Sequence, residues 1–296
     1  MSFHFKHHEP LADGTRRVVS GQIESARQLL TGENIDREVV VHEARKCFKR
    51  IRATLHLIDF DPPETFEEES RRYRNMGRML ASQRDADTLP KTFDKLIRDY
   101  TKHLEGLTLS RERSFIIRHA EAILGGENFS RIKSEMAREL EKAKSAVSDW
   151  QFKKAESLMV TSIAPSVVKK AYSRSKDNFL TVCQNPSRNK MHNWRKRIKD
   201  LLYQSQLLSA IDLKFSPAYS KKLDNLAEWL GEHHDLTLLH EVVSEHGPRA
   251  RENLAVEGLV ELIAMEQSRL EDRAREVGGE LFRQTPAAFI KHLDQV

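Results

Sequence analysis

The chain has 296 residues, 39% of them apolar and 31% charged, with a mean hydropathy of −0.60, which is the balance of a soluble globular protein with one large core or two modest ones. No segment approaches the ~20 consecutive apolar residues that span a bilayer, and the opening MSFHFKHHEPLADGTRR lacks the apolar run of a secretion signal, so a cytoplasmic location is expected. The net charge of +5 is a small excess of 49 Lys and Arg over 44 Asp and Glu, so the distribution of charge carries more information than its total.

The alternation of β-branched residues expected of strands is missing, and most of the 12 Gly and 9 Pro fall between stretches of helical periodicity. His4, His7 and His8 read as a loose polar tail. The spacing then predicts helices near 14–31, 36–60 and 64–82, with Asp61-Pro62-Pro63 between the last two, and near 85–104, 110–124 and 128–158, with Gly125-Gly126 as the break. FSRIKSEMARELEKAKSAVSDWQFKKAESLM carries opposite charges at a spacing of four and no breaker, so it reads as one long helix closing the first half. The second half predicts helices near 163–183, 188–212, 216–231, 235–246, 249–277 and 280–293, punctuated by Pro165, Asn185-Pro186-Ser187, Pro217, Gly247-Pro248 and Gly278-Gly279. Long helices with short connections predict an all-α fold of bundles. With no low-complexity linker, the chain reads as a single domain, 1–296, whose halves cover about 11–158 and 159–296.

Those halves repeat each other at an offset of 150 positions. His42, Arg45, Lys46 and Lys49 recur as His192, Arg195, Lys196 and Lys199, and Asn75, Leu80, Asp85 and Leu89 recur as Asn225, Leu230, Asp235 and Leu239. One offset linking two separate blocks indicates two homologous halves packed about a pseudo-twofold axis. At roughly 100° per residue, His42, Arg45, Lys46, Lys49 and His56 share one arc, opposite an apolar stripe of Val41, Ala44, Phe48, Ile51, Leu55 and Ile58. The second copy sets His192, Arg195, Lys196, Lys199 and Tyr203 opposite Met191, Trp194, Ile198, Leu201 and Leu208. Solvated faces ordinarily mix signs. Here Lys46 with Arg50, Arg45 with Lys49, and Arg195 with Lys199 are like-charge pairs, each unfavourable by about 0.2–0.5 kcal/mol, and an anion would offset that repulsion. Arg50, Arg52 and Arg197 add donors suited to phosphate oxygens, as do Lys169, Lys170, Arg174 and Lys176 on the following basic helix, where Tyr172 is a further hydroxyl donor or a packing residue.

Asp85 and Asp235 each stand at the start of a predicted helix, where an N-cap is the simple expectation and orienting a His or Arg on the basic helix the functional one. His192, His233, His234 and Asp235 offer a second reading, a metal-dependent phosphohydrolase, although Arg84 occupies the equivalent place in the first half and cannot ligate a cation. A nucleic-acid-binding module is a third reading, weakened by the placement of Phe48 and Trp194 on apolar stripes, which leaves few rings for base stacking. Cys47 and Cys183 have no ligand-like spacing and read as buried thiols. No Gly-rich phosphate loop, nucleophile elbow or HExxH is present, so neither a catalytic residue nor a cofactor is assigned.

The segments VHEARKCFKRIRATLHL and MHNWRKRIKDLLYQ, together with MLASQRDADTL and WLGEHHDLTLL, resemble the motifs of the CHAD family, the conserved histidine α-helical domain. That resemblance implies two four-helix-type bundles related by pseudo-twofold symmetry around a basic central channel that binds inorganic polyphosphate without catalysis. Carried over, the ligands are His42, Arg45, Lys46, Lys49, Arg50, Arg52 and Arg84 from the first half, and Tyr172, Arg174, His192, Arg195, Lys196, Lys199 and Tyr203 from the second. Ala81, His234 and Asp200 depart from the motifs, and the last makes the second copy less basic. No ExExK motif of a triphosphate tunnel module accompanies them, so a stand-alone binding domain is expected, in contact with polyphosphate granules or polyphosphate-metabolising enzymes.

Overall fold

Asp36 and Ser187 start the two basic helices in the same manner. The Asp36 carboxylate accepts from the Glu38 amide at 2.7 Å, and the Ser187 hydroxyl from the Lys190 amide at 3.4 Å, each satisfying a donor that the first turn leaves unpaired. These are α2 (Arg37–Leu55) and α8 (Arg188–Leu207) of the eleven α-helices in the computed structural model, which describes residues 3–58, 60–101, 109–125, 128–153, 158–211, 215–246 and 254–293. The others are α1 (Leu11–Thr31), α3 (Glu64–Met79), α4 (Ala81–Asp99), α5 (Ser110–Leu124), α6 (Asn128–Asp149), α7 (Val160–Gln184), α9 (Pro217–His246), α10 (Leu254–Leu281) and α11 (Pro286–Leu293). Among the described residues no strand forms; two isolated bridges join Pro10 to Met159 and Phe60 to Phe152. No described helix is long and apolar enough to cross a membrane.

The apolar stripes of α2 and α8 are buried as their periodicity requires, with Ala44, Phe48, Ile51 and Leu55 on one and Met191, Trp194, Ile198 and Leu201 on the other. α1 packs on α2 and α6, and α7 on α8 and α11. Contacts from α2 to α8 and from α4 to α9 join the two halves. The main core therefore draws on both. Trp194 is wholly buried, and truncating it to Ala would remove about 3–5 kcal/mol. A smaller core fills the space among α4, α5, α9 and α10 around Phe93, Ile116, Leu239 and Ile263.

Several elements differ from the sequence-based expectation. The N-terminal segment is not a loose tail: Phe5 is fully buried, its amide donates to the Leu207 carbonyl at 2.9 Å, and Arg17 grips both Glu9 oxygens at 2.6 and 2.7 Å. α6 stops at Asp149 rather than running on, because Trp150 and Phe152 leave the helix to pack edge-on against Phe60, at 5.3 and 5.2 Å between ring centroids. α9 runs unbroken through 231–235, so Asp235 is no N-cap; α4 begins at Ala81, so neither is Asp85. Pro165 lies inside α7, where only one amide donor is lost near the helix start. Gly278 and Gly279 lie inside α10. A β-carbon on Gly278 would sit 2.8 Å from the Phe179 ring and 3.0 Å from Trp194, so this glycine permits a close approach and does not end the helix. Cys47 is buried, but Cys183 is exposed.

Candidate anion-binding site

Residues spaced four, three and four apart, namely Arg45, Lys49 and Arg52 of α2 and His56, which caps its C-terminus, lie along one ridge. α8 brings Arg195 and Lys199 towards it, and α4 adds Arg84. Lys49 is the centre of this arrangement. It makes no ion pair with any described residue, and its surroundings push its pKa down to about 7, first through burial and then through Arg195, Arg45, Lys199 and Arg84. Cations from both halves of the chain thus share one poorly solvated space. Burial also lowers the pKa values of Lys199, Arg45 and Arg195, with neighbouring cations adding to the effect. The Arg195 Nε is buried with no hydrogen-bond partner.

Carboxylates hold part of this charge in place. Arg84 forms ion pairs with Asp235 of α9 at 2.7 Å and with Asp85 at 3.2 Å, and although burial opposes it, these acids raise the Arg84 pKa. Both aspartates also act favourably on Arg195. Asp85 and Asp235 thus pair with Arg84 of α4 rather than with a His or Arg of a basic helix, and act on Arg195 of α8 only through their charge. Arg45 donates to the Gly77 carbonyl, one of the acceptors left open where α3 ends just before Leu80.

Two histidines border the cluster from α8 and α9. The His192 and His234 rings lie 4.9 Å apart. Burial, then Arg195, His192 and Arg84, press the His234 pKa down to about 3, and burial with Lys196 and Arg195 lowers that of His192. Burial thus favours the neutral form of both imidazoles, which keeps one N–H donor on each ring. The His192 Nδ1 is buried without a partner. His42 lies near Lys49 and Arg84 and exposes 70% of its side chain.

A second group lies farther along α2. Arg52 has a pKa lowered by burial and by Arg74 and Arg78 of α3 and Arg197 of α8. His56 is held down to about 4 by burial, then by Arg52, Arg174, Arg197 and Lys170. Asp200 lies among these cations and accepts from Arg197 at 3.1 Å.

The expected ligands are therefore sorted by the fold. Arg45, Lys49, Arg84, His192, Arg195 and Lys199 come together, with His42 at their edge, while Arg52 and Arg174 belong to the second group. Lys46 pairs with Glu43 at 3.2 Å, and Lys196 is exposed on the His192 side of α8. Arg50 lies over the Phe3 ring, 4.7 Å from its centroid, and Tyr203 meets the same ring edge-on at 6.5 Å. Tyr172 packs in the core instead of joining either group. It is fully buried, stacks on Phe289 at 4.1 Å, and donates to the Leu281 and Gln284 carbonyls at 3.2 and 3.1 Å. His234 was missed as a donor, although the offset that selected Arg84 leads straight to it. Arg74 and Arg78 were missed because Asp224 and Glu228 stand at their counterparts, so the repeat did not select them.

Of the residues of the phosphohydrolase reading, His192 and His234 are ring neighbours, while His233 is buried and meets Glu271 of α10 at 2.9 Å and Asp235 is engaged by Arg84. Among the described residues no group of three or more His, Cys, Asp or Glu is placed to hold a metal ion.

A family model described as "CHAD domain" matches residues 22–244. Among solved structures, the crystal structure of the CHAD domain from the plant Ricinus communis superposes with a TM-score of 0.59 at 16% identity, over 94% of each chain, a likeness that shows the same all-helical fold. No match is found among curated proteins.

Proposed function

The chain belongs to the CHAD domain family, and from that premise we propose that it binds inorganic polyphosphate, without turning it over, on the cation cluster between α2 and α8. The observation that carries this reading is Lys49, an ammonium with no ion pair among the described residues and four cationic neighbours drawn from both halves of the chain. Such a group is destabilised in its charged form until an anion arrives. A linear polyanion with about one charge per internal phosphate supplies that anion repeatedly along its length, and guanidinium forks suit its oxygens.

Nucleic acid is the competing polyanion. Phe48, Trp194 and Tyr203, the aromatic residues of the two basic helices, are all buried, which leaves base stacking without a platform there and favours the ligand that has no bases. A cytoplasmic protein of this type would meet its ligand on polyphosphate granules or in the company of polyphosphate-metabolising enzymes. Titration with long-chain polyphosphate and with single-stranded RNA at equal phosphate concentration tests the reading. Saturable binding of the polyphosphate at concentrations where the RNA does not bind supports it, and equal or tighter binding of the RNA contradicts it.

A further inference from the structure

The cluster is flanked differently on its two sides. Towards α3 and α7, Arg52 lies near Arg74, Arg78 and Arg197, and the next turn of α2 reaches Arg174 and Lys170. Towards α9, Lys199 lies near Asp224 and Glu228 instead. The 150-residue offset makes these positions counterparts: Arg74 answers to Asp224, Arg78 to Glu228, and Arg52 to Leu202. Arg74, Arg78, Asp224 and Glu228 are all exposed, and none forms an ion pair with a described residue. Their charge is therefore not consumed by the fold. Past Arg174 the basic side continues as an open groove of about 530 Å³, between Lys169, Lys170 and Ser173 of α7 and the first residues of α11.

We propose, resting on the polyphosphate reading above, that the chain is bound in one direction only: one terminus sits in the central cluster against the Asp224–Glu228 side, and the remainder runs out over Arg74, Arg78 and the α7 groove. A terminal phosphate carries more negative charge than an internal one, so it belongs among the most concentrated cations. A polymer continuing past Lys199 would meet two carboxylates, while one continuing past Arg52 meets arginines. Exposed charges act within a Debye length of about 8 Å at physiological ionic strength, so the contrast governs the phosphates just outside the cluster. Asp200 reduces the charge on the basic side without reversing it, because Arg197, Arg52 and Arg174 surround it.

Two paired substitutions test this against tripolyphosphate, short enough to occupy the centre alone, and a long-chain polyphosphate. Arg74→Glu with Arg78→Glu should weaken long-chain binding about tenfold or more and leave tripolyphosphate within about twofold. Asp224→Arg with Glu228→Arg copies the first half into the second. It should tighten long-chain binding and let the polymer pass on both sides, a gain that misfolding does not produce. If wild type binds long chains and neither pair changes the ratio of long-chain to tripolyphosphate affinity, the single direction is wrong while the binding reading stands. If wild type binds neither ligand, the binding reading fails and this inference fails with it.

Discussion

Arg84 of α4 and Asp235 of α9 form an ion pair at 2.7 Å that joins the two halves of the sequence beside the central cations. Asp85 completes the arrangement at 3.2 Å from the same guanidinium. A carboxylate beside cations that must receive an anion is a compromise. It holds the arginines in position in the free protein and opposes the ligand once bound. Asp235→Asn should therefore tighten polyphosphate binding several-fold while lowering stability by about 1–3 kcal/mol, because a poorly solvated arginine loses its counter-charge. Urea unfolding and a polyphosphate titration on the same protein check both signs; a loss of affinity with unchanged stability would contradict the assignment.

Binding should be strongly dependent on salt and on chain length. On the polyphosphate reading several cations would engage successive phosphates and release counterions, so the logarithm of affinity should fall linearly with the logarithm of salt concentration. Orthophosphate should compete poorly, since it reaches few of those cations at once. A salt-independent affinity, or orthophosphate binding as tightly as the polymer, would count against this.

The pH dependence has a defined sign. In the free protein Lys49 has a pKa near 7, below its ordinary value of 10.5, and a bound polyanion favours the ammonium. Binding from pH 7 upwards should therefore take up a proton, and affinity should decline as pH rises through that range. Calorimetry in buffers of different ionisation enthalpy measures the uptake, and Lys49→Met should abolish most of it. For folding the linkage runs the other way. The unfolded chain holds the Lys49 proton up to pH 10.5, so this residue lowers the stability of the unliganded protein below pH 7, and that effect fades between pH 7 and 10.5. His234, near 3 when folded and 6.5 when unfolded, contributes a loss of stability as pH falls from 6.5 towards 3. His234→Asn should soften that acid transition.

The basic helices and their buried stripes were legible in the sequence because each residue's environment follows from its phase on one helix. Phe48, Trp194, Arg45 and Lys199 lie where that phase puts them. The helix breaks were less legible. A glycine that ends a helix and one that admits a neighbouring ring look alike in sequence, which is why Gly278 was misread. Trp150 continues the helical period of α6, and partners far away in the chain, Phe60, Asp61 and Arg16, draw it and Phe152 out of the helix. Tyr172 had two readings on one helix, and the carbonyls of Leu281 and Gln284, supplied by a distant turn, decide for packing.

That placement of Tyr172 makes a separate prediction. Tyr172→Phe should lower stability by about 1 kcal/mol through the lost hydrogen bonds and leave polyphosphate affinity unchanged. Affinity falling with stability intact would restore Tyr172 as a ligand.

Lys49 and Lys199 are counterparts in the repeat that meet in one cluster, so the most direct test of a shared site is the affinity and stoichiometry of polyphosphate binding to Lys49→Glu and Lys199→Glu, each with its circular dichroism spectrum. Both positions lie off the apolar stripes, and each change replaces a cation with a carboxylate beside the ligand, an effect of about 2–5 kcal/mol. The account predicts that either substitution alone weakens binding severely with the helical spectrum retained. Mutants that keep wild-type affinity and lose half the stoichiometry would show two independent faces and contradict the shared site.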